Sequence, residues 1–129
     1  IDAVRDGPPN VAWAPSCDEG GNELYFRRAE VREPTYVQEW LPVEATGAES
    51  ACEPSLSLGH ERVPYIAYVD PYSGLVRVTV RHAEGGWDHD IIGEGSQPTM
   101  DYDPHTETQT IAYVDPTSSQ LRVVDGYWN

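Results

Sequence analysis

One hexapeptide occurs twice in this chain, and it constrains the fold more than any other feature. Ile-Ala-Tyr-Val-Asp-Pro stands at residues 66–71 and again at 111–116, a spacing of 45 residues. Both copies are rich in residues favoured in strands, and both end at an Asp-Pro pair typical of turns. A strand-rich repeat of this length is typical of stacked or radial β architectures. The repeat therefore predicts a fold but names no chemistry.

Aligned outward, each copy lies in a longer unit of strand patterns separated by turn residues. The middle unit has four predicted strands, at residues 54–58, 65–69, 75–81 and 87–92. The last unit repeats three of them, at residues 98–102, 109–114 and 120–124. Tyr127-Trp128 then matches the start of the fourth strand, and the given sequence ends at Asn129. Short strands with such regular turns are typical of antiparallel meanders.

The first unit follows the same order but is more diverged. Its predicted strands are residues 1–4, 10–13, 22–28 and 36–43. Two insertions, residues 16–21 and 45–53, stretch the distance from Val11 to Ile66 to 55 residues. Asn-Val-Ala-Trp at 10–13 then corresponds to Tyr-Ile-Ala-Tyr at 65–68, so Trp13, Tyr68 and Tyr113 share one repeat position. We interpret aromatic residues repeated in this way, including Trp87 and Trp128, as packing residues.

A repeated unit of four strands and about 45 residues is typical of a β-propeller blade. The sequence predicts an all-β fold, a partial β-propeller of about three four-stranded antiparallel blades, the last lacking its outer strand. It is one domain over residues 1–129, with blades at 1–53, 54–97 and 98–129. A solenoid or a β-sandwich also holds short strands, but neither predicts a near-identical segment returning at this distance.

Three segments resemble a known group of propeller repeats. They are Pro-Ser-Leu-Ser-Leu at 54–58, Pro-Tyr-Ile-Ala-Tyr-Val-Asp-Pro at 64–71 and Gly-Gly-Trp at 85–87. They look like bacterial extracellular propeller repeats loosely related to the sialidase/BNR group, and the likeness covers nearly the whole chain. It implies a blade and not an activity. The sialidase Asp-box, Ser-x-Asp-x-Gly-x-x-Trp, is not retained, because the matching segment reads His-Ala-Glu-Gly-Gly-Trp at 82–87.

Propellers have four to eight blades, so three blades do not close a ring. We therefore expect additional blades from a longer chain, a second copy or a partner subunit. An unfinished blade leaves an edge strand with unpaired backbone groups, which can accept a strand from elsewhere. The predicted assembly edge consists of Gln120, Leu121, Arg122, Val123 and Val124. Ile1 is not an initiator Met, which predicts a processed chain or a fragment.

The charge of the chain argues against some partners. It carries 22 acidic residues against 8 basic ones, all of them Arg, for a net charge of −14. Such a surface repels nucleic acid and anionic membranes. No apolar run is long enough for a transmembrane helix, so no membrane insertion is predicted.

The two cysteines predict a disulfide. Cys17 and Cys52 lie in the two insertions of the first unit, in loops that emerge on the same side of an up-and-down blade. A bond between them would close a loop of about 35 residues and stabilise the fold by about 3–4 kcal/mol. It also predicts an oxidising compartment, hence a secreted, extracellular or periplasmic protein. The spacing does not fit a zinc site.

The candidate ligand or cation face rests on carboxylates in turns. Asp70 and Asp115 end equivalent strands, and an Asx-type turn cap explains them as well as a site does. Asp101 and Asp103 are further candidates for this face, and Tyr72, which is not repeated, could stack on a sugar. Oxygen-rich turns suit Ca²⁺, although no standard calcium loop is present. No other cofactor is predicted.

The function predicted from these observations is a secreted, non-catalytic β-propeller module for binding or structural assembly. No nucleophile elbow, phosphate loop or zinc-protease motif is present, so an enzymatic activity is neither assigned nor excluded. Two alternatives stay open. One is a lectin-like oligomer that binds carbohydrate, and the other is a fragment of a sialidase-like carbohydrate-active enzyme.

Overall fold

The computed structural model describes residues 8–19, 22–32 and 37–126, and these residues form an all-β protein. Within them, eleven strands form three antiparallel sheets, joined by turns and by two 3₁₀ segments, Cys17–Glu19 and His60–Arg62. The predicted strand at residues 1–4, Tyr36 and the segment 127–129 with Trp128 lie outside the described residues.

The first sheet contains β1 to β4, which are Asn10–Trp13, Tyr25–Arg32, Val37–Trp40 and Glu44–Ala45. Strand β2 lies between β1 and β3 and also pairs with the short β4. The middle sheet has four strands in sequence order, β5 to β8, which are Cys52–Leu58, Pro64–Asp70, Leu75–Arg81 and Trp87–Glu94. The last sheet contains β9 to β11, which are Ser96–Asp103, Thr108–Val114 and Leu121–Gly126.

The strands predicted for the middle and last units are present, with shifts of a few residues at their ends. The first sheet departs more from the prediction. Its strand β3 ends at Trp40 although the pattern extended to Val43, and β2 runs on to Arg32. Pro42 has no backbone N–H to donate to a ladder, which favours an early end of β3.

The two copies of the hexapeptide occupy the same strand of neighbouring sheets. In the middle sheet Tyr68 pairs with Arg77, and in the last sheet Tyr113 pairs with Arg122. In the first sheet Trp13 pairs with Tyr25. We call residues equivalent when they hold the same place in this pairing.

Strand β6 is the centre of the molecule. Six of its seven residues are buried, as expected for a continuous apolar run covered on both faces. Ile66 and Tyr68 face the first sheet in a cluster with Leu24 and Phe26, which also contains Ala48 and Ala51. The alternate residues Tyr65, Ala67 and Val69 face the last sheet, in a second cluster with Met100, Ile111 and Tyr113.

The predicted disulfide is confirmed. Cys17, in the turn after β1, is bonded to Cys52 at the start of β5, with their Cα atoms 5.1 Å apart. The bond therefore joins the first sheet to the middle sheet. None of the helical segments in the described part of the chain has the length and apolarity needed to cross a membrane.

Candidate functional site

Asp70 caps the turn between β6 and β7. Its Oδ1 accepts hydrogen bonds from the backbone N–H groups of Tyr72 (3.0 Å) and Ser73 (3.4 Å) and from the Ser50 hydroxyl (3.3 Å). Partial burial works against ionisation here, but these hydrogen bonds outweigh it and lower the pKa of Asp70. The Asx-type turn considered in the sequence analysis is therefore what this residue forms.

Asp115 builds the same turn between β10 and β11. Its Oδ1 accepts from the N–H groups of Thr117 (2.8 Å) and Ser118 (3.1 Å), and Arg122 Nε donates to its Oδ2 at 2.9 Å. The two backbone bonds, followed by the bond from Arg122, lower the pKa of Asp115. In both Asp70 and Asp115, Oδ1 thus accepts hydrogen bonds from the backbone of the turn that follows the residue.

Asp101 and Asp103 lie at the other end of the last sheet. Asp103 pairs with Thr108, the first residue of β10, whereas Asp115 directly follows its last residue. The seven residues of β10 separate Asp103 from Asp115 by about 20 Å along the strand. Asp103 Oδ1 accepts from His105 N at 2.8 Å, so it caps the β9–β10 turn. The structure does not bring the four predicted carboxylates together.

No metal site emerges from these carboxylates. Within residues 8–19, 22–32 and 37–126, no three His, Cys, Asp or Glu side chains are grouped so as to hold a metal ion. Tyr72 follows Asp70 in its turn and is 79% exposed. It is the candidate residue with an aromatic face open to solvent.

A cavity of about 330 Å³ lies beside Asp70, between the middle sheet and the loop that leads to it from β4. The side chains of Asp70, Tyr68, Arg77 and His89 line it together with residues 47–50. Its walls offer carboxylates, a guanidinium, an imidazole and hydroxyls. These groups can hydrogen-bond a small polar ligand.

A short hydrogen-bond chain fixes the histidine of this cavity. His89 Nε2 lies 2.9 Å from the carbonyl oxygen of Thr46, and Nδ1 lies 3.0 Å from the Tyr68 hydroxyl. A carbonyl only accepts, so Nε2 carries a proton, and a neutral imidazole then accepts from Tyr68 at Nδ1. Burial raises the pKa of Tyr68, against the opposing effect of Arg77. Tyr68 therefore stays protonated at neutral pH and can donate to His89.

Sequence reasoning missed this cavity. It interpreted Tyr68 as a packing residue. Thr46 and His89 are 43 residues apart, in an inserted loop and a strand. No motif connects them, so only the folded structure brings them together.

The predicted assembly edge is the outer strand of the last sheet. Gln120 precedes β11, and the other four residues lie in it. In the part of the chain that the structure describes, β11 pairs with β10 alone. Its equivalent in the middle sheet, β7, pairs with β8 along its whole length.

The sheets contact one another through two kinds of face. The inserting face carries a branched residue and an aromatic residue from the strand that holds the repeat: Val11 and Trp13, Ile66 and Tyr68, Ile111 and Tyr113. The receiving face carries one Ala of that strand and two apolar residues in the next strand or directly before it. These residues are Ala12, Leu24 and Phe26; Ala67, Val76 and Val78; Ala112, Leu121 and Val123.

The same packing occurs at both junctions. The inserting face of the middle sheet lies on the receiving face of the first sheet, and the inserting face of the last sheet lies on that of the middle sheet. Trp87 adds to the first of these contacts, with its ring edge-on to Phe26 at 5.2 Å between centroids. Trp40 is equivalent to Trp87, since Ala29 pairs with Trp40 and Arg81 with Trp87.

These observations define an all-β protein of three stacked antiparallel sheets with one disulfide and a small cavity beside Asp70. A scan against protein-family models and searches of curated proteins and of solved structures return no match for the chain. The function is therefore argued from the sheets and their exposed surfaces.

Proposed function

We propose that this chain is a secreted, non-catalytic β-propeller module for binding or structural assembly, with its three sheets as blades. The observation that carries the proposal is the repeated packing of inserting face on receiving face. In a propeller the same rotation relates each blade to the next, so equivalent residues should form the contacts at successive junctions. Ile66 with Tyr68, and Ile111 with Tyr113, occupy equivalent places at the two junctions.

The exposed surfaces support a role in assembly. The last sheet leaves Leu121 and Val123 of its receiving face exposed, and the first sheet leaves Trp13 of its inserting face exposed. Apolar patches of this kind mark interaction sites on soluble proteins. Additional blades would cover both surfaces and close the ring.

Secretion is supported by the disulfide. Structural disulfides persist mainly in oxidising compartments, and cytosolic thiols are kept reduced. The Cys17–Cys52 bond therefore fits a protein that acts outside the cytoplasm. The net charge of −14 agrees with a partner other than nucleic acid or an anionic membrane.

Hydroxyl-radical labelling tests this proposal in the protein as its natural cells produce it. We expect Trp13 and Trp40 to be labelled slowly relative to the unfolded chain, because further blades cover them. Tyr72 is the control and should be labelled at nearly the unfolded rate. If both tryptophans react as readily as Tyr72 after this normalisation, no further blade covers the module and the proposal is wrong.

Carbohydrate binding is a second candidate, favoured by the cavity beside the turn that carries Tyr72. The lining of this cavity is part polar and part apolar. Sugars combine many hydroxyl groups with apolar faces, and Arg77, Asp70 and an exposed tyrosine match these features. A glycan array is the test, with wild-type protein, Arg77→Met and Tyr72→Ala. We expect a defined set of glycans to bind and both substitutions to weaken binding at least ~10-fold. No binding to any glycan would remove this candidate.

A further inference from the structure

The two ends of the sheet stack display the two halves of one interface. Leu24 and Phe26 of the first sheet and Val76 and Val78 of the middle sheet are fully buried, but their equivalents in the last sheet, Leu121 and Val123, are 69% and 59% exposed. Inserting-face residues are buried in the middle and last sheets, but in the first sheet Trp13 is 39% exposed. Within the described residues, no inserting face covers the receiving face of the last sheet. No receiving face covers the inserting face of the first sheet.

The two exposed faces carry residues similar to those at the equivalent buried positions. Ala112 repeats Ala67, and Val123 repeats Val78, although the residues of the last sheet have no covering sheet in the described chain. On the other end Trp13 replaces Tyr68 with a larger aromatic ring. Trp40, which is equivalent to Trp87, is 46% exposed. Both surfaces are thus suited to burial.

We infer that a second copy of this chain docks its first sheet on the last sheet of the first copy, so that inserting face meets receiving face. The inference rests on the proposed propeller module and names its partner. By equivalence with the Trp87–Phe26 contact, Trp40 of the second copy lies on Val123 of the first copy. Trp13 likewise takes the place of Tyr113, which shares a buried cluster with Val69 and Val76 of the middle sheet.

Charge favours this pairing over a contact between two like faces. The receiving side of the last sheet carries Asp101 and Asp125, which flank Thr110 in the strand pairing. The inserting side of the first sheet carries Arg27, held over Trp40 at 5.6 Å from the ring centroid. Opposite charges across an interface select the correct partner and orientation, and like charges oppose the alternative.

The contact is heterologous, because two different faces of the chain meet. Such contacts form closed rings when the rotation between copies closes, and open filaments when it does not. Two copies joined at both ends supply six sheets, within the four to eight of known propellers. The inference is therefore a closed dimer with the contact made twice.

Light scattering and native mass spectrometry of the purified chain test the docking. We expect a species of twice the 14.4 kDa chain mass. Val123→Asp should raise the dissociation constant ~100-fold, because it removes the apolar contact with Trp40 and takes a carboxylate out of water. Ile91→Asp is the matched control, as Ile91 is 53% exposed on β8 away from the proposed contact, and should change it less than ~3-fold. Circular dichroism checks that both variants are folded.

Mixing two defective variants tests the head-to-tail arrangement. Val123→Asp damages the receiving face only, and Trp40→Asp damages the inserting face only. Each variant alone should be largely monomeric, whereas the mixture should form a one-to-one dimer through its one intact contact. A contact between like faces would not be restored by mixing.

The failures of the two proposals are distinguishable. If the purified chain is monomeric while Trp13 and Trp40 are protected in the natural protein, another chain or further blades cover these faces. The second-copy inference is then overturned and the propeller module stands. If Ile91→Asp weakens the dimer as much as Val123→Asp, the dimer uses another surface and the inference is again overturned.

Discussion

The middle and last sheets are built alike but are covered differently. Val78 and Val123 are equivalent valines, yet Val78 is fully buried and Val123 is mostly exposed. Because the residue type follows the repeat position and not the exposure, the receiving face of the last sheet is composed like an interior surface. The difference teaches that the two sheets share one pattern of facing residues, and that no sheet among the described residues covers this face of the last sheet.

The edges of the two sheets show the same contrast. In the middle sheet, β7 has hydrogen-bonded neighbours on both sides. In the last sheet the described residues give β11 a neighbour on one side only. Both the face and the edge of the last sheet therefore offer groups that a further element could pair with.

The largest effect is expected at the junction that carries the disulfide. Replacing both cysteines, Cys17→Ala with Cys52→Ala, should lower the free energy of unfolding by about 3–4 kcal/mol. The reason is that the unfolded chain is then no longer constrained by a closed loop of 35 residues. Urea unfolding measures this. The control is reducing agent, which should destabilise the wild type by a similar amount and leave the double variant unchanged. An unchanged midpoint in the variant would contradict the assigned role.

The equivalent valines give the next largest effect. Val78→Ala should cost about 2–3 kcal/mol, since it removes two buried methyl groups and leaves a cavity. Val123→Ala should cost less than about 0.5 kcal/mol in the dissociated chain, because that side chain is in water. Urea unfolding at low protein concentration compares them. Equal costs would show that Val123 is buried even in a single chain.

Two glycines at the junction of the middle and last sheets test how closely these sheets approach. A Cβ on Gly95 would lie 2.6 Å from the carbonyl oxygen of Val114 and would also contact the ring of Tyr113. Gly95→Ala should therefore cost about 1–3 kcal/mol. A Cβ on Gly93 meets mainly the hydroxyl end of Tyr113, which can move, so Gly93→Ala should cost less. Thermal unfolding of both variants ranks them, and the reverse order would contradict the packing.

The smallest effect is the acid dependence of the repeated turns. The pKa of Asp70 is lowered in the fold from its usual value of 3.8, so the carboxylate stabilises the protein above that pH. This contribution is lost as the pH falls from about 4 through the lowered pKa. Asp70→Asn keeps an acceptor for the turn but does not titrate, so it should flatten the loss of stability below pH 4 by a few tenths of a kcal/mol. Urea midpoints at pH 6 and pH 3 measure the difference.

Much of the strand pattern could be predicted from the sequence, because it depends on local features. The bounds of β5 to β11 are predicted to within a few residues. The signals are the alternating pattern of Leu75–Arg81 and the turns marked by Asp-Pro and by Gly. The disulfide could be predicted because both cysteines lie in insertions that emerge on one side. These features require only strand periodicity and turn chemistry.

The rest depends on contacts between distant residues. The Thr46–His89–Tyr68 chain forms only when an inserted loop folds over the middle sheet, and no local pattern indicates this. Asp101 and Asp103 were placed on the same face as Asp70, but strand direction puts them at the other end of the last sheet. The equivalence of Trp40 with Trp87 also required the observed pairing, because the first unit is interrupted by insertions.

A crystal structure of the assembled species is the most direct measurement of the central claim, that one junction is used throughout. The account predicts that Trp40 of one copy lies on Val123 of the next, as Trp87 lies on Phe26 within the chain. The Trp40 ring and the Val123 side chain should be in van der Waals contact, with their nearest carbon atoms about 4 Å apart. A last sheet packed on another last sheet, or a Val123 left in solvent in every species, would contradict it.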